Sequence, residues 1–518
     1  MTDYDFVIIG SGFGGSVSAL RLTEKGYKVL VIEKGKRYAA EDFPKSNWNV
    51  KKWFWMPALR FFGFFKLTFF RHVTVLSGVG VGGGSLVYAN TLQKPKKEFF
   101  NSGSWKGLAD WEEELNPYYD EVLRMLGAAP NPRMETGDLA LKALAKKYGA
   151  ENRFAPTNVA VYFNEDKTPR DPYFNGAGPL RVPCDFCGAC MIGCRNNSKN
   201  TLDKNYLYFA EKKGAEVWDE KEVIKIKPSE KGGYEITWRN STALVKKQGK
   251  VKTRGVVLAG GVLGTLKLLT KLKESVLPNL SDKLGEDIRT NSESLLGVIS
   301  FDKNKIFSDG VAIGSIFHVD EKTSVEPVRY PSGSGFWRTM MMPSVKGGNF
   351  LTRIFKIVLD YFVHPVKNLR ALFVKDFAAK TQILLFMQTI NTKLKFTRGI
   401  FGLKSTHSSG EKPSAFIPQA KKIANDYAEI VNGKPYALLT ESVAGIPTTA
   451  HILGGCVIGA NEKDGVIDKN HKVFGYENFY VCDGSAISAN PGVNPSLTIA
   501  AMTERAMSKI PPKKNYKK

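Results

Sequence analysis

Residues 4–15 read Tyr4-Asp5-Phe6-Val7-Ile8-Ile9-Gly10-Ser11-Gly12-Phe13-Gly14-Gly15, an apolar strand that runs straight into a glycine-rich turn. A helical stretch follows as far as Gly26, and a second strand from Lys28 to Ile32 stops at Glu33. In this spacing Gly10 permits a tight turn, Gly12 lets the backbone approach a pyrophosphate, and Gly15 lets helix and strand pack closely. Glu33 is placed to accept hydrogen bonds from ribose hydroxyls. The pyrophosphate belongs at the positive end of the helix. Strand, glycines, helix and acid together predict a dinucleotide-binding unit, but these residues alone do not choose between FAD and NAD.

The surrounding chain of 518 residues is 43% hydrophobic and 24% charged, ordinary for a globular protein and long enough for about two to four domains. Its 74 Lys and Arg against 50 Asp and Glu leave a formal charge of +24, which favours anionic surfaces or acidic partners. No zinc-finger spacing or RNA-binding signature accompanies that charge, so nucleic acid is not expected as a partner. The first strand begins almost at the initiator methionine, with no secretory n-region or cleavage site. No apolar run reaches the roughly 18 residues of a membrane span. Six cysteines, four of them bunched, do not make an extracellular disulfide framework, and a reducing cytoplasmic setting is expected.

A second glycine stretch, Ser77-Gly78-Val79-Gly80-Val81-Gly82-Gly83-Gly84-Ser85-Leu86-Val87-Tyr88-Ala89-Asn90, alternates apolar residues through its glycines. Here the chain resembles the glucose-methanol-choline (GMC) oxidoreductase family, and in particular its sterol-oxidising branch. The resemblance extends over roughly residues 1–100, 184–300 and 448–510. It implies FAD as cofactor, with Gly82, Gly83 and Asn90 along the flavin, Gly260 in the turn beneath the adenosine, and Val223 against the adenine. The segment Leu284-Gly285-x-x-Ile288-x-Thr290-Asn291 matches next. Near the C-terminus, His451-Ile452-Leu453-Gly454-Gly455-Cys456 resembles the family's active-site histidine segment. Asp483-Gly484 resembles its flavin-contacting pair, and Asn494-Pro495 its second catalytic position.

The residue types suit alcohol oxidation, in which a hydroxyl proton leaves and the carbinol hydride passes to flavin N5. His451 is the expected proton acceptor, and Asn494 can hydrogen-bond the substrate oxygen. Pro495 reads as a helix start whose free N–H groups stabilise negative charge on the reduced ring. Glu326, in Val325-Glu326-Pro327-Val328-Arg329-Tyr330-Pro331, resembles the carboxylate base that migrates a steroid double bond in the sterol-oxidising branch. Cys456 and Cys482 read as small buried residues.

Cys184-x2-Cys187-x2-Cys190-x3-Cys194 packs four thiols into eleven residues, a spacing suited to one soft metal centre. Cys184, Cys190 and Cys194 also resemble the pattern that holds a three-iron cluster in a glucose-oxidising branch of the family, with Cys187 extra. An iron-sulfur cluster (3Fe-4S or 4Fe-4S) is therefore expected, passing electrons from the flavin to an acceptor protein or quinone. Zinc, reduced structural thiols and a disulfide remain alternatives.

Residues 48–71 interleave aromatics with Lys and Arg, and residues 354–377 read as an amphipathic helix kinked at Pro365. The first segment predicts a hydrophobic lid and peripheral attachment to an anionic membrane surface. The second reads at least as readily as core packing. The expected architecture is α/β. A doubly wound FAD-binding domain is assembled from 1–44, 72–100, 184–300 and 448–512, with a lid at 45–71, a connecting region at 101–183, and a substrate domain on a mixed β-sheet at 301–447 that includes a strand at 382–388. A disordered tail is expected at 513–518. The expected activity is oxidation of a lipophilic alcohol. An oxygen-reducing enzyme with isomerase activity, or an idle membrane-bound flavoprotein, are the alternatives.

Overall fold

The computed structural model describes residues 2–345, 347–400 and 402–514. Two seven-stranded sheets dominate it. In the first, Glu216–Trp218, Val29–Ile32, Tyr4–Ile9, Gln248–Leu258 and Phe479–Val481 lie side by side and parallel. The hairpin Lys221–Pro228/Tyr234–Asn240 extends it in antiparallel fashion from the first half of the long strand. Val7, Ile8, Leu30, Val31, Val256 and Val257 are buried, as the strands of a covered parallel sheet must be. Strand order reverses beside Tyr4–Ile9, and that switch point opens a crevice at the strands' carboxyl ends.

Two glycines hold this crevice in shape. Gly10 has φ 98°, and a Cβ there would lie 2.3 Å from the Ala259 carbonyl oxygen; a Cβ on Gly15 would lie 2.0 Å from that of Gly10. No side chain could be added at either position without moving backbone.

The second sheet runs Met341–Pro343, Gly433–Leu438, Ser294–Ser300, Thr381–Gln388, Thr323–Val328, Ser315–His318 and Phe154–Pro156. The mixed sheet expected here is antiparallel at every junction, since no strand–helix–strand crossover joins neighbouring strands. It also takes strands from outside 301–447, namely 154–156 and 294–300. Strand alternation gives it two faces. Leu296, Val298, Val325, Leu384 and Phe386 pack on the helices Thr136–Lys147 and Pro418–Ile430. The opposite face carries Leu295, Val328, Leu385 and Met387.

The two apolar segments behave differently from expectation. Within residues 48–71, Trp53, Phe54, Phe64 and Phe65 are buried in one cluster with Tyr330, Trp337 and Tyr436. Trp53 stacks on Phe65 at 4.6 Å between ring centroids. Trp48, Met56, Leu59 and Phe69 stay exposed, so this stretch is part core and part surface. The 354–377 segment is two helices, Phe350–Val363 and Pro365–Leu372, broken at His364 with Pro365 opening the second. Most of its large apolar side chains are exposed. Lys513, expected to be free, donates its N–H to the Lys25 carbonyl (3.0 Å) and its Nζ to Asp5 (2.6 Å). Residues 515–518 of the expected tail lie outside the described residues.

Candidate functional site

The crevice is lined by the two glycine turns noted in the sequence. Gly83 (φ 53°) lies so close that a Cβ there would be 2.6 Å from Gly12 Cα. Ser11 links the turns: its Oγ donates to Glu33 (2.9 Å) and accepts from Gly82 N–H (3.1 Å). Glu33 is buried and also accepts from Ser11 N–H (3.0 Å) and Gly35 N–H (2.9 Å), which orients its carboxylate at the end of the second strand. Val223 sits half-buried in the hairpin.

Helices Phe13–Glu24, Gly261–Lys273 and Ser496–Ser508 begin at Gly12, Gly260 and Pro495. None has a side-chain cap from its N-cap residue or an acidic residue in its first turn. Such ends favour bound anions. A Cβ on Gly12 would meet nothing nearer than 3.9 Å, and one on Gly264 nothing within 4 Å, so both turns have room for a ligand against the backbone. These features fit a dinucleotide with a negatively charged pyrophosphate. Asp483 is buried, which pushes its carboxyl upward. Opposing that, it accepts from Ser485 N–H (2.8 Å) and Thr265 Oγ1 (2.5 Å).

His451 reaches this crevice on an irregular segment that follows the short strand Thr448–Thr449. Gly454 N–H donates to Gly484 O and Cys456 N–H to Ser485 O, each at 2.9 Å, while a Cβ on Gly14 would strike the carbonyl of Cys482. The 451–456 segment is thereby fastened to the 482–485 turn, which lies on the first helix.

At the far end of the crevice four polar side chains meet. His451 Nδ1 is hydrogen-bonded to Glu293, whose other oxygen accepts from Ala450 N–H (2.8 Å). An ionised carboxylate only accepts, so Nδ1 carries the proton and Nε2 is left as the basic nitrogen. Glu293 follows two successive left-handed residues, Asn291 (φ 52°) and Ser292 (φ 44°), an uncommon backbone for residues with side chains. Asn291 fixes that turn against the catalytic loop: its Oδ1 accepts from Gly492 N–H (2.9 Å) and its Nδ2 donates to Val493 O (3.1 Å).

Glu326 comes from the middle of Thr323–Val328 and is fully buried, with neither carboxyl oxygen in a well-formed hydrogen bond. Burial pushes it up to about 8, and Glu293 adds to the rise, while nearby Asn494 pulls the other way. By alternation it shares its face with Val328 and lies opposite Leu385. That apolar patch, with Ile313 and Met387, is completed by Ala89 of the second glycine segment.

Sequence reading missed Glu293. The signal was there, since a lone acid opens the apolar run Ser294-Leu295-Leu296 directly after the matched Thr290-Asn291.

The cysteines differ from expectation. All six are unpaired thiols, and among the described residues no three His, Cys, Asp or Glu side chains are gathered to hold a metal ion. Cys184 Sγ accepts from Phe186 N–H and Cys194 Sγ from Ser198 N–H, each at 3.3 Å. Burial, with lesser contributions from neighbouring thiols, pushes Cys184 and Cys190 up, and raises Cys187 to about 12 with Asp185 adding to it. Without a grouping of three candidate ligands, the described residues do not fit the expected iron-sulfur cluster. Lys199, buried beside them, donates to the carbonyls of Leu86 (3.0 Å), Tyr88 (2.9 Å) and Cys190 (2.7 Å). The cysteine loop thus supports the flavin-side segment from behind.

Comparison with known proteins agrees with this geometry. Models described as GMC oxidoreductase match residues 181–287 and 374–503, and an NAD(P)-binding Rossmann-like domain matches 8–41. The chain is 47% identical to a cholesterol oxidase of Acinetobacter baumannii, over 99% of this chain and 95% of that one. It is 42% identical to a cholesterol oxidase of Mycobacterium tuberculosis, over 99% and 92%. A long-chain-alcohol oxidase of Arabidopsis thaliana is 24% identical over 96% and 66%. The solved pyridoxine 4-oxidase from Mesorbium loti shares the fold, with a TM-score of 0.62 at 15% identity and 98% of each chain covered. The chain belongs to the GMC oxidoreductase family. It is accordingly an FAD-dependent oxidoreductase that acts on CH–OH groups.

Proposed function

We propose that this protein oxidises the hydroxyl of a lipophilic alcohol, with a sterol favoured over a terpenoid or long-chain alcohol. The observation that carries the reading is the junction at Glu326, where the polar group of His451, Glu293 and Asn494 borders an apolar wall that includes Ala89 beside the flavin segment. Such a junction of polar and apolar surface suits a greasy body with one polar end. FAD supplies the hydride acceptor when bound. Asn494 hydrogen-bonds the substrate oxygen, and His451 Nε2 takes the hydroxyl proton. Glu293 holds the ring in that tautomer and stabilises the imidazolium that forms. The helix beginning after Pro495 places N–H groups where negative charge develops.

Oxygen is the proposed electron acceptor, in keeping with the oxidases among the relatives and with the unfavourable cysteine geometry. A second reading adds double-bond migration. Glu326 is buried, unpaired and raised to about 8, so it can carry a proton between two carbons of an enone product. Anaerobic bleaching of the flavin by sterols, fatty alcohols, terpenols and sugars tests the substrate class. Reduction by sugars and not by sterols would overturn it. Peroxide equal to substrate consumed, with no iron in the protein, is expected; iron with labile sulfide and little peroxide would restore the electron relay to an acceptor protein or quinone.

A further inference from the structure

Helices Phe350–Val363 and Pro365–Leu372 are attached to the molecule by a narrow stripe. In the first only Ile357 is buried, and in the second only Asn368 and Ala371. Leu351, Phe355, Phe362, Val366, Leu369 and Phe373 are all more than half exposed, with Phe362 at 78%. Continuous apolar surface of this kind is rare on a protein with no partner. The charges around it are predominantly positive. Residues 350–375 contain Arg353, Lys356, Lys367, Arg370 and Lys375 against a single acid, Asp360. Asp360 is turned inward, where it pairs with Lys434 and accepts from Asn368 Nδ2 (3.0 Å).

We propose that these two helices are a docking face for an anionic lipid surface, lying in the headgroup plane with their aromatic and aliphatic side chains in the acyl boundary. A second copy of this chain would bring its own basic rim and a formal charge of +24 to the same face, whereas anionic headgroups complement it. No helix among the described residues is long and apolar enough to cross a membrane, so the face lies on the bilayer without spanning it.

The face also connects inward. Ala371 and the following Phe377 and Ala378 belong to the aromatic cluster of Trp53 and Trp337, and Leu295 and Ile383 pack both on that cluster and on the patch beside Glu326. Apolar packing is thus continuous from the docking face to the patch beside Glu326, a part of the proposal that rests on the lipophilic-alcohol reading.

The test uses FAD-loaded full-length protein and vesicles of phosphatidylcholine with or without phosphatidylserine, read by flotation. Wild type is expected to float with the anionic vesicles and to be released by salt. Phe355→Asp/Phe362→Asp, at exposed positions, is expected to lose about tenfold or more in vesicle binding, with flavin absorbance and Tm unchanged. As a second readout, the fluorescence of a Phe362→Trp variant should shift to the blue on anionic vesicles. Unaltered flotation of the double variant, no flotation of wild type, or a wild-type dimer that the double variant abolishes would each overturn the proposal. Flotation needs no turnover, so failure of the alcohol reading would show separately, as an unbleached flavin on protein that still floats.

Discussion

Two buried carboxylates lie near one another and have been given opposite surroundings. Glu293, at the start of Ser294–Ser300, is tied by an imidazole and by the N–H of Ala450, so it is oriented. Glu326, mid-strand on the apolar face, has no such partners and is pushed up to about 8. In the proposed reaction the first works by position and the second by carrying a proton. Partners, more than depth, separate the two roles.

Removing the group between them should have the largest effect. His451→Ala is expected to lower the rate of flavin reduction by sterol about 10²–10⁴-fold, with flavin binding intact by absorbance; a loss under tenfold would place the proton acceptor elsewhere. Glu293→Gln keeps the shape but removes the charge and leaves one acceptor oxygen for the two donors His451 and Ala450, and should cost about a hundredfold in kcat with KM little changed. A change confined to KM would mean that Glu293 binds substrate instead of orienting the ring.

Glu326→Gln should leave alcohol oxidation within about threefold and abolish double-bond migration, read as absorbance of a conjugated enone. Retained migration would end that role. The same variant has a stability signature. In the wild type the protonated carboxyl persists to about 8 in the folded chain against an ordinary 4.5, so the folded state binds more protons between these values. Stability is then complete below 4.5 and is lost as pH rises toward 8. Glu326→Gln should flatten that fall in Tm without removing it, because burial also raises Glu441 to about 8. The smallest effect is expected at Cys187→Ser, a partly exposed thiol, with turnover and flavin spectrum unchanged; loss of a visible chromophore would instead reveal a cluster.

The same distinction between composition and surroundings explains what could be read in advance. The turn from Gly10 to Gly15 and the acid at Glu33 were legible because each residue answers a local steric or hydrogen-bonding need. Segments around His451, Asp483 and Asn494 were legible by resemblance, and the structure brings all three to one crevice. Residues 48–71 and 350–373 both interleave apolar side chains with positive charge. In the first, Trp53, Phe54, Phe64 and Phe65 turn into the aromatic cluster, while the second buries little of its apolar surface. The cysteine spacing suggested a metal, but among the described residues the fold gathers no three candidate ligands around one point.

From its sequence alone this protein was committed to a nucleotide crevice, a flavin partner and an alcohol-oxidising end, since glycine turns and short motifs encode contacts within a few residues. Only the tertiary structure decided that Glu293 holds the histidine, that Glu326 stands in an apolar wall, and that the outward greasy surface is at 350–373. Burial and charge pairing depend on which distant strands become neighbours, and no local pattern specifies that.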